Sequence, residues 1–451
     1  MTLKNPYWLR SGFLNVIQNF SGVIFGFGSF FFLVRILDKH SFGAWTLFMS
    51  TITIFEVIRT GLIQSALIKY IAASDADEHP GIISASAVIS ACLTCACILA
   101  NTLLAPVLAS LWETPELVFL FYIYNIAFLL TGILNLLNCI EQAHLKFRGT
   151  FLSATVRSGL FFFVTTGCFL FKVPVTLLQL VYIQIAGITL ACFLAWIPVR
   201  EHITFVFSIS RDWLGKLLKF GKYAFGTSVS SILSGTIDQM MLGAMLSPAA
   251  SGAFNIAVRI TNLIDIPTNA MATIVFPQSA KRMETDGEGA IKYLFEKSVG
   301  TVLAILLPGL LFLYLFSDLV IYLIAGEKYS DTIPLLHVTL LYCLLIPYGR
   351  QFGTVISSIG KPKISFQIVL ITAITNLVLN YFFIRTFGLM GAAYATLASN
   401  IIGFILAQRI LSRDLKVSVR QTLVYMYTFY PEFYSRYVVP VTRKLIQQTS
   451  K

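Results

Sequence analysis

The sequence predicts an all-α, polytopic membrane protein of about twelve transmembrane helices in two six-helix lobes related by a parallel pseudo-two-fold repeat. Three observations predict it. Of 451 residues, 57% are hydrophobic and only 12% charged, about half the charge of a soluble domain. The apolar residues fall in runs of about 20, the length that crosses a hydrocarbon core of about 30 Å. The chain also matches itself when displaced by 209 residues.

In order, the spans are predicted at 12–34, 43–68, 81–108, 117–140, 150–171 and 176–199, then 223–246, 252–278, 298–317, 333–358, 364–384 and 389–408. The first exceeds the apolar core of a signal peptide, about 7–15 residues, and so reads as a helix that stays in the membrane. The tenth is interrupted by Pro347 and Arg350. Between the halves, Leu214, Leu217 and Leu218 share a face while Lys216, Lys219 and Lys222 supply charge, which predicts a short interfacial helix near 211–222. Beyond Arg413 the tail mixes Tyr425, Tyr427, Phe429, Tyr430, Phe433 and Tyr437 with basic residues and Pro431. It is too polar and broken to span, and is expected at the headgroups. The expected domains are 1–205, 206–412 and the basic aromatic tail 413–451.

The repeat superposes Leu37, Gly43, Ala44 and Trp45 on Leu246, Gly252, Ala253 and Phe254 without a gap, Gly26 on Gly235 and Glu56 on Asp265. Two halves that start on the same side of the membrane make the repeat a parallel one. Orientation follows from the basic residues. With the N-terminus inside, 24 of the 33 Lys and Arg fall on the cytoplasmic side, which places both termini in the cytoplasm. The net charge of +12 is therefore topology rather than a nucleic-acid-binding face. The seven cysteines lie in or at the ends of apolar spans. Cys92 and Cys95 form a CxxC with no His or carboxylate nearby, and are expected as small buried residues rather than metal or redox groups.

Seven ionisable residues interrupt the spans: Glu56, Arg59, Arg157, Asp238, Arg259, Asp265 and Arg350. Each costs about 2.5–3.5 kcal/mol at mid-bilayer, so they must face one another, an aqueous cavity or the headgroups. Glu56 and Arg59, three residues apart, share a helix face and either pair locally or serve a cavity. Asp238 either pairs with Arg259 or binds a substrate or ion. Arg157 and Arg350 lie near the cytoplasmic ends of their spans, where snorkelling is the alternative. Asn15, Gln18 and Asn19 put amides on the first helix, for packing or for a polar cargo. Four arginines and no lysine within the spans point to a cargo bearing phosphate or carboxylate, because the guanidinium fork pairs two oxygens and keeps its charge when buried. No GxxxxGK[ST], HExxH or nucleophile elbow occurs, so neither nucleotide-driven transport nor an enzyme is expected.

Arg35-Ile-Leu-Asp-Lys-His-Ser-Phe-Gly-Ala-Trp45 resembles the loop after the first helix of Wzx-type O-antigen and polysaccharide flippases. Asp238-Gln-Met-Met-Leu-Gly243, Ser251-Gly-Ala-Phe-Asn-Ile-Ala257, Pro277, Gly360-Lys-Pro-Lys363 and Phe387-Gly-Leu-Met-Gly-Ala-Ala-Tyr-Ala395 extend the resemblance over about residues 10–410. The resemblance implies alternating access in a bacterial inner membrane, acting on a lipid-linked oligosaccharide carried on undecaprenyl diphosphate. It assigns the head group to Arg59, Arg157, Arg259 and Arg350, and coupling to H⁺ or Na⁺ to Glu56, Asp238 and Asp265; no bound cofactor is implied. Membrane lipids, a polysaccharide polymerase and a chain-length regulator are the partners it suggests. A cation-coupled exporter of small drugs or metabolites stays open as the alternative, and a non-transporting scaffold as a third.

Overall fold

The structure is a computed structural model that describes residues 6–144, 146–200 and 210–435, with some side chains inside helices, those of Asn15 and Asn19 among them, outside the description. Among the described residues there is no strand. The helices are α1 (Pro6–Ile36), α2 (Lys39–Gly61), α3 (Gln64–Ala73), α4 (His79–Leu111), α5 (Glu116–Ala143), α6 (Arg148–Leu170), α7 (Leu177–Val199), α8 (Arg211–Met245), α9 (Pro248–Thr261), α10 (Asp265–Thr285), α11 (Glu288–Leu315), α12 (Ser317–Ala325), α13 (Ile333–Cys343), α14 (Ile346–Ser358), α15 (Pro362–Phe387), α16 (Leu389–Leu415) and α17 (Val419–Phe433). Among the described residues, nine helical segments are long and apolar enough to cross a bilayer. The other three predicted spans fall on α1, whose apolar stretch is described only over Phe20–Ile36, on α8, and on the α9–α10 region. That last span is broken by a 3-10 turn at Asn262–Ile264. The chain is an all-α polytopic membrane protein.

The chain divides into two compact units, Met1–Gly252 and Ala253–Lys451. In the first, α5 packs on α4 and α7, α6 on α1 and α7, and α8 on α2. Its core gathers Leu67 and Ile71 of α3, Ile82 and Ile83 of α4, Leu137 and Ile140 of α5, and Ala191 and Ala195 of α7. Residues 211–222 do not form a separate helix but are the first turns of α8. Trp213 there stacks edge-on against Tyr70, and Leu217 is buried in the same core. The apolar face identified at Leu214 and Leu217 thus turns onto protein, while Leu218 remains exposed.

Two glycines that the 209-residue repeat superposes lie against each other within this unit. A Cβ on Gly252 would sit 3.0 Å from Gly43 Cα, and one on Gly43 would collide with the Pro248 carbonyl. Only glycine at both positions lets the start of α2 meet the start of α9 this closely.

The second unit pairs α15 with α16, α10 with α14, and α11 with α17. Its core is built from Ile291, Phe295 and Val299 of α11, Phe352, Val355 and Ile356 of α14, and Leu411 and Leu415 of α16. Asn380 donates to Asn376, which in turn donates to Thr396 and Ser399 (3.3 and 3.4 Å), joining α15 to α16 through amides as membrane helices do. The expected interruption near Pro347 is real: α13 stops at Cys343 and α14 begins at Ile346. The tail contains α17, a helix of 15 residues packed on α11.

The outward faces of both units carry large apolar side chains, among them Leu99, Leu103, Phe119, Ile126, Phe312 and Phe382, which lipid solvates and water does not. Cys92 and Cys95 correct the expectation of burial. They share the outward stripe of α4 with Leu99 and Leu103, while Cys97, Cys139 and Cys343 are the buried thiols. Among the described residues no group of His, Cys, Asp or Glu could hold a metal ion.

Candidate functional site

A cavity of about 230 Å³ opens inside the first unit, and among the described residues Arg59 is the one charged group in its wall. Its other polar walls come from Gln18 of α1, Thr60 of α2, Gln64 of α3, Ser90 of α4, Asn135, Asn138 and Gln142 of α5, and Thr150 of α6. Among the described residues no carboxylate lines it.

Local structure explains why these groups converge. Arg59 stands in the last turn of α2, where a cation complements the carbonyl end of the helix. The chain then breaks at Leu62 and Ile63 and restarts with Gln64, so two helix ends meet at the chamber wall. Asn135, Asn138 and Gln142 recur at i, i+3 and i+7 along α5, a polar stripe on an otherwise apolar helix. Thr150 is fixed from below. Glu141, only 2% exposed, accepts hydrogen bonds from the N–H groups of Gly149 and Thr150 (2.6 Å each) and from the Thr150 hydroxyl (2.9 Å). A carboxylate at the first turn of α6 satisfies donors that have no partner within the helix and meets its positive end.

Arg59 is 2% exposed and donates through Nη1 to the Phe128 carbonyl at 2.6 Å. Its Nε and Nη2 are buried and make no hydrogen bond with the described protein. Glu56, one turn earlier, keeps a buried Oε1 that is likewise unsatisfied. Among the described residues no salt bridge joins the two, so the three-residue spacing does not produce the local ion pair that one sequence reading allowed. The α5 carbonyl captures the guanidinium instead. Arg157 is half buried on α6, within electrostatic reach of Arg59. What sits here is a preorganised cation with spare donors, ringed by amides and hydroxyls, which suits an anionic ligand rich in hydroxyl groups.

The remaining sequence candidates lie elsewhere. In the second unit Arg350 of α14 donates to Asp265 at the start of α10 (3.2 Å), both partly exposed. Asp238 on α8 is 5% exposed, beside Gln239, whose Oε1 accepts from Ser50 of α2 at 2.9 Å. Arg259 is exposed at the last turn of α9. Sequence reasoning missed Gln64, Ser90, Asn135, Asn138, Gln142 and Thr150 as a set, and Glu141 as their support. The i, i+3, i+7 amide spacing on the fifth helix was the available signal.

Residues 32–334 match the family model described as "Polysaccharide biosynthesis protein". The chain belongs to that family. The resemblance read from the sequence motifs therefore holds at family level. The "Probable low-salt glycan biosynthesis flippase Agl15" of Haloferax volcanii is 22% identical over 253 residues, 54% of this chain and 51% of that protein. The "Teichuronic acid biosynthesis protein TuaB" of Bacillus subtilis is 23% identical over 322 residues, 70% and 65% of the two chains. The "Lipopolysaccharide biosynthesis protein WzxC" of Escherichia coli is 26% identical over 192 residues, 42% and 37%. This family member spans about half the length of the first curated relatives it matches. Among solved structures, the lipid II flippase MurJ in an inward closed conformation has TM-score 0.75 at 16% identity, covering 94% of this chain and 92% of that one. An inward-facing multidrug resistance MATE family transporter of the MOP superfamily has TM-score 0.74 at 19% identity, covering 88% and 96%. At such identities these two show a shared fold.

Proposed function

We propose that this polysaccharide biosynthesis protein is a transporter, a flippase that moves a lipid-linked oligosaccharide from the cytoplasmic to the outer leaflet of a bacterial inner membrane. Both termini are cytoplasmic in this reading, and transport proceeds by alternating access without ATP. The observation that carries it is the chamber of the first unit, where one buried guanidinium with two spare donors faces eight neutral amide or hydroxyl side chains and, among the described residues, no carboxylate. A guanidinium pairs phosphate oxygens in a bidentate fork, and amides and hydroxyls both donate to and accept from sugar hydroxyls. An undecaprenyl diphosphate-linked repeat unit presents both chemistries, while its polyprenyl tail stays in lipid.

Arg59 is assigned to the diphosphate and Arg157 to the same head group at longer range. Arg259 and Arg350 are assigned to later stages of its passage, with Asp238 and Asp265 as coupling acids beside Glu56. The unsatisfied buried Oε1 of Glu56 favours Glu56 as the group that takes up H⁺ or Na⁺. A polymerase and a chain-length regulator would then receive the translocated unit.

Surface glycan in a strain depending on this gene tests the assignment. Arg59→Ala is expected to abolish it while the protein still reaches the membrane, and Arg59→Lys, which keeps charge but not the fork, to restore it only partly. Wild-type glycan from Arg59→Ala removes Arg59 from the site. Dye efflux that depends on Glu56, with glycan unchanged, supports the exporter instead.

A further inference from the structure

Apart from the chamber, a second polar groove, of about 310 Å³, lies in the second unit where the first turns of α11 and α17 meet. Lys292, Tyr293 and Glu296 of α11 line one wall, and Arg420, Gln421 and Tyr425 of α17 the other. Glu296 is 2% exposed, and its Oε1 accepts the N–H of Ser418, the residue immediately before α17, at 2.8 Å. Its charge is thus committed to the helix end. Lys292 and Arg420 form no ion pair among the described residues, whereas nearby Lys297 is held by Glu432 at 3.2 Å. The Ser418 side chain makes no capping bond to the first turn of α17.

The helix that builds this groove is fixed to the protein. Gly300 of α11 allows close approach, since a Cβ there would lie 2.7 Å from the Thr422 carbonyl oxygen and 2.8 Å from Tyr425 Cβ. The Tyr430 hydroxyl donates to the Ala304 carbonyl at 2.7 Å. At 15 residues α17 is about 22 Å long, too short for a hydrocarbon core of about 30 Å. It nevertheless exposes Leu423, Val424, Tyr427, Tyr430 and Phe433, with Tyr434 just beyond its end. An aromatic-rich apolar face next to free cations is the chemistry of the headgroup boundary.

We propose that α17 lies in the plane of the bilayer surface and that this groove holds the phosphate of an anionic phospholipid between Lys292 and Arg420. The tyrosines would meet the glycerol and acyl boundary. The site is separate from the chamber, so the proposal stands whether or not the chamber carries the transported head group.

The test is native mass spectrometry of the full chain released from detergent with phosphatidylglycerol, phosphatidylcholine or inorganic phosphate as the probe. The double variant Lys292→Gln/Arg420→Gln is expected to bind phosphatidylglycerol about thirty-fold more weakly, each cation near such a surface being worth about 1 kcal/mol. Phosphatidylcholine binding should not change, and millimolar phosphate should not displace phosphatidylglycerol. Lys292→Arg/Arg420→Lys should bind as the parent does, and so should Lys328→Gln, which lies beyond the opposite end of α11. Unchanged phosphatidylglycerol affinity in the double variant, or equal loss in the charge-conserving pair, overturns the proposal. Displacement by phosphate alone makes the groove a free-anion site and overturns the lipid assignment.

Discussion

Glu141→Ala tests how the chamber wall is supported. The Glu141 carboxylate accepts three hydrogen bonds of 2.6, 2.6 and 2.9 Å from Gly149 and Thr150 and is 2% exposed. Removing it strands two N–H groups at the start of α6 in a place where Pro198 and Glu141 itself crowd Gly149. An unsatisfied buried donor costs about 1–3 kcal/mol, and loss of the anion at the helix N-terminus adds about 0.3–1 kcal/mol. The expected destabilisation is about 3–5 kcal/mol. Because one kcal/mol shifts Tm by about 2–4 °C in a unit of this size, Tm should fall by roughly 6–20 °C. Glu141→Gln keeps one acceptor oxygen and turns an NH₂ toward the other donors, so it should lose about half as much. The buried Cys97 and Cys139 offer the readout, since a thiol-reactive dye in detergent reports their exposure on heating. A Tm within 2 °C of the parent for Glu141→Ala would refute the capping argument.

Two further outcomes follow from local geometry. Gly300→Val should push α17 off α11, seen as faster hydrogen exchange across 419–433 with α11 itself protected; unchanged exchange would mean that the close approach does not hold the helix. Asp38 caps α2 by accepting from the N–H groups of His40 and Ser41 (2.9 and 3.1 Å), and hydrogen bonding from Ser41 first of all holds its carboxyl below the usual carboxylate range. A lowered acid stabilises the fold above its unfolded-state pKa and loses that contribution as pH falls through its folded value. Asp38→Asn, which also caps, should therefore unfold with less acid dependence below the ordinary carboxylate range; an identical pH profile in the two proteins would contradict this.

Much of the fold was legible because a bilayer imposes it. Composition and span length required an all-α chain, and the resemblance in the motifs around Gly43 and Asp238 held at family level. The broken helix at Pro347 was readable from its proline. Less visible were breaks without one, such as Leu62–Ile63, where the chain re-aims Gln64 into the chamber. The linker at 211–222 looked self-contained because its leucines form a face, but the face packs on Tyr70 and its neighbours, so the helix runs on.

The site was legible only in part. Charged residues stand out in apolar spans, so Arg59 and Glu56 were found, but sequence spacing cannot say that the guanidinium bonds to the Phe128 carbonyl rather than to the nearby carboxylate. Neutral amides cost far less in a span, and their common role appears only when α1, α3 and α5 are brought together. Glu141 sat near a predicted span end, where an acid draws no notice. Its partners lie eight and nine residues on, across a loop whose turn no motif encodes.

The chamber is proposed to carry a phosphate-linked glycan head group across the membrane. Purified chain reconstituted with a fluorescent lipid-linked oligosaccharide tests this, by the fraction of label that membrane-impermeant dithionite reaches. The parent chain is expected to make the inner-leaflet label accessible within minutes, and Arg59→Ala to leave about half of the label protected, as in protein-free vesicles. Label that stays protected with the parent chain, or that moves equally with Arg59→Ala, would contradict it.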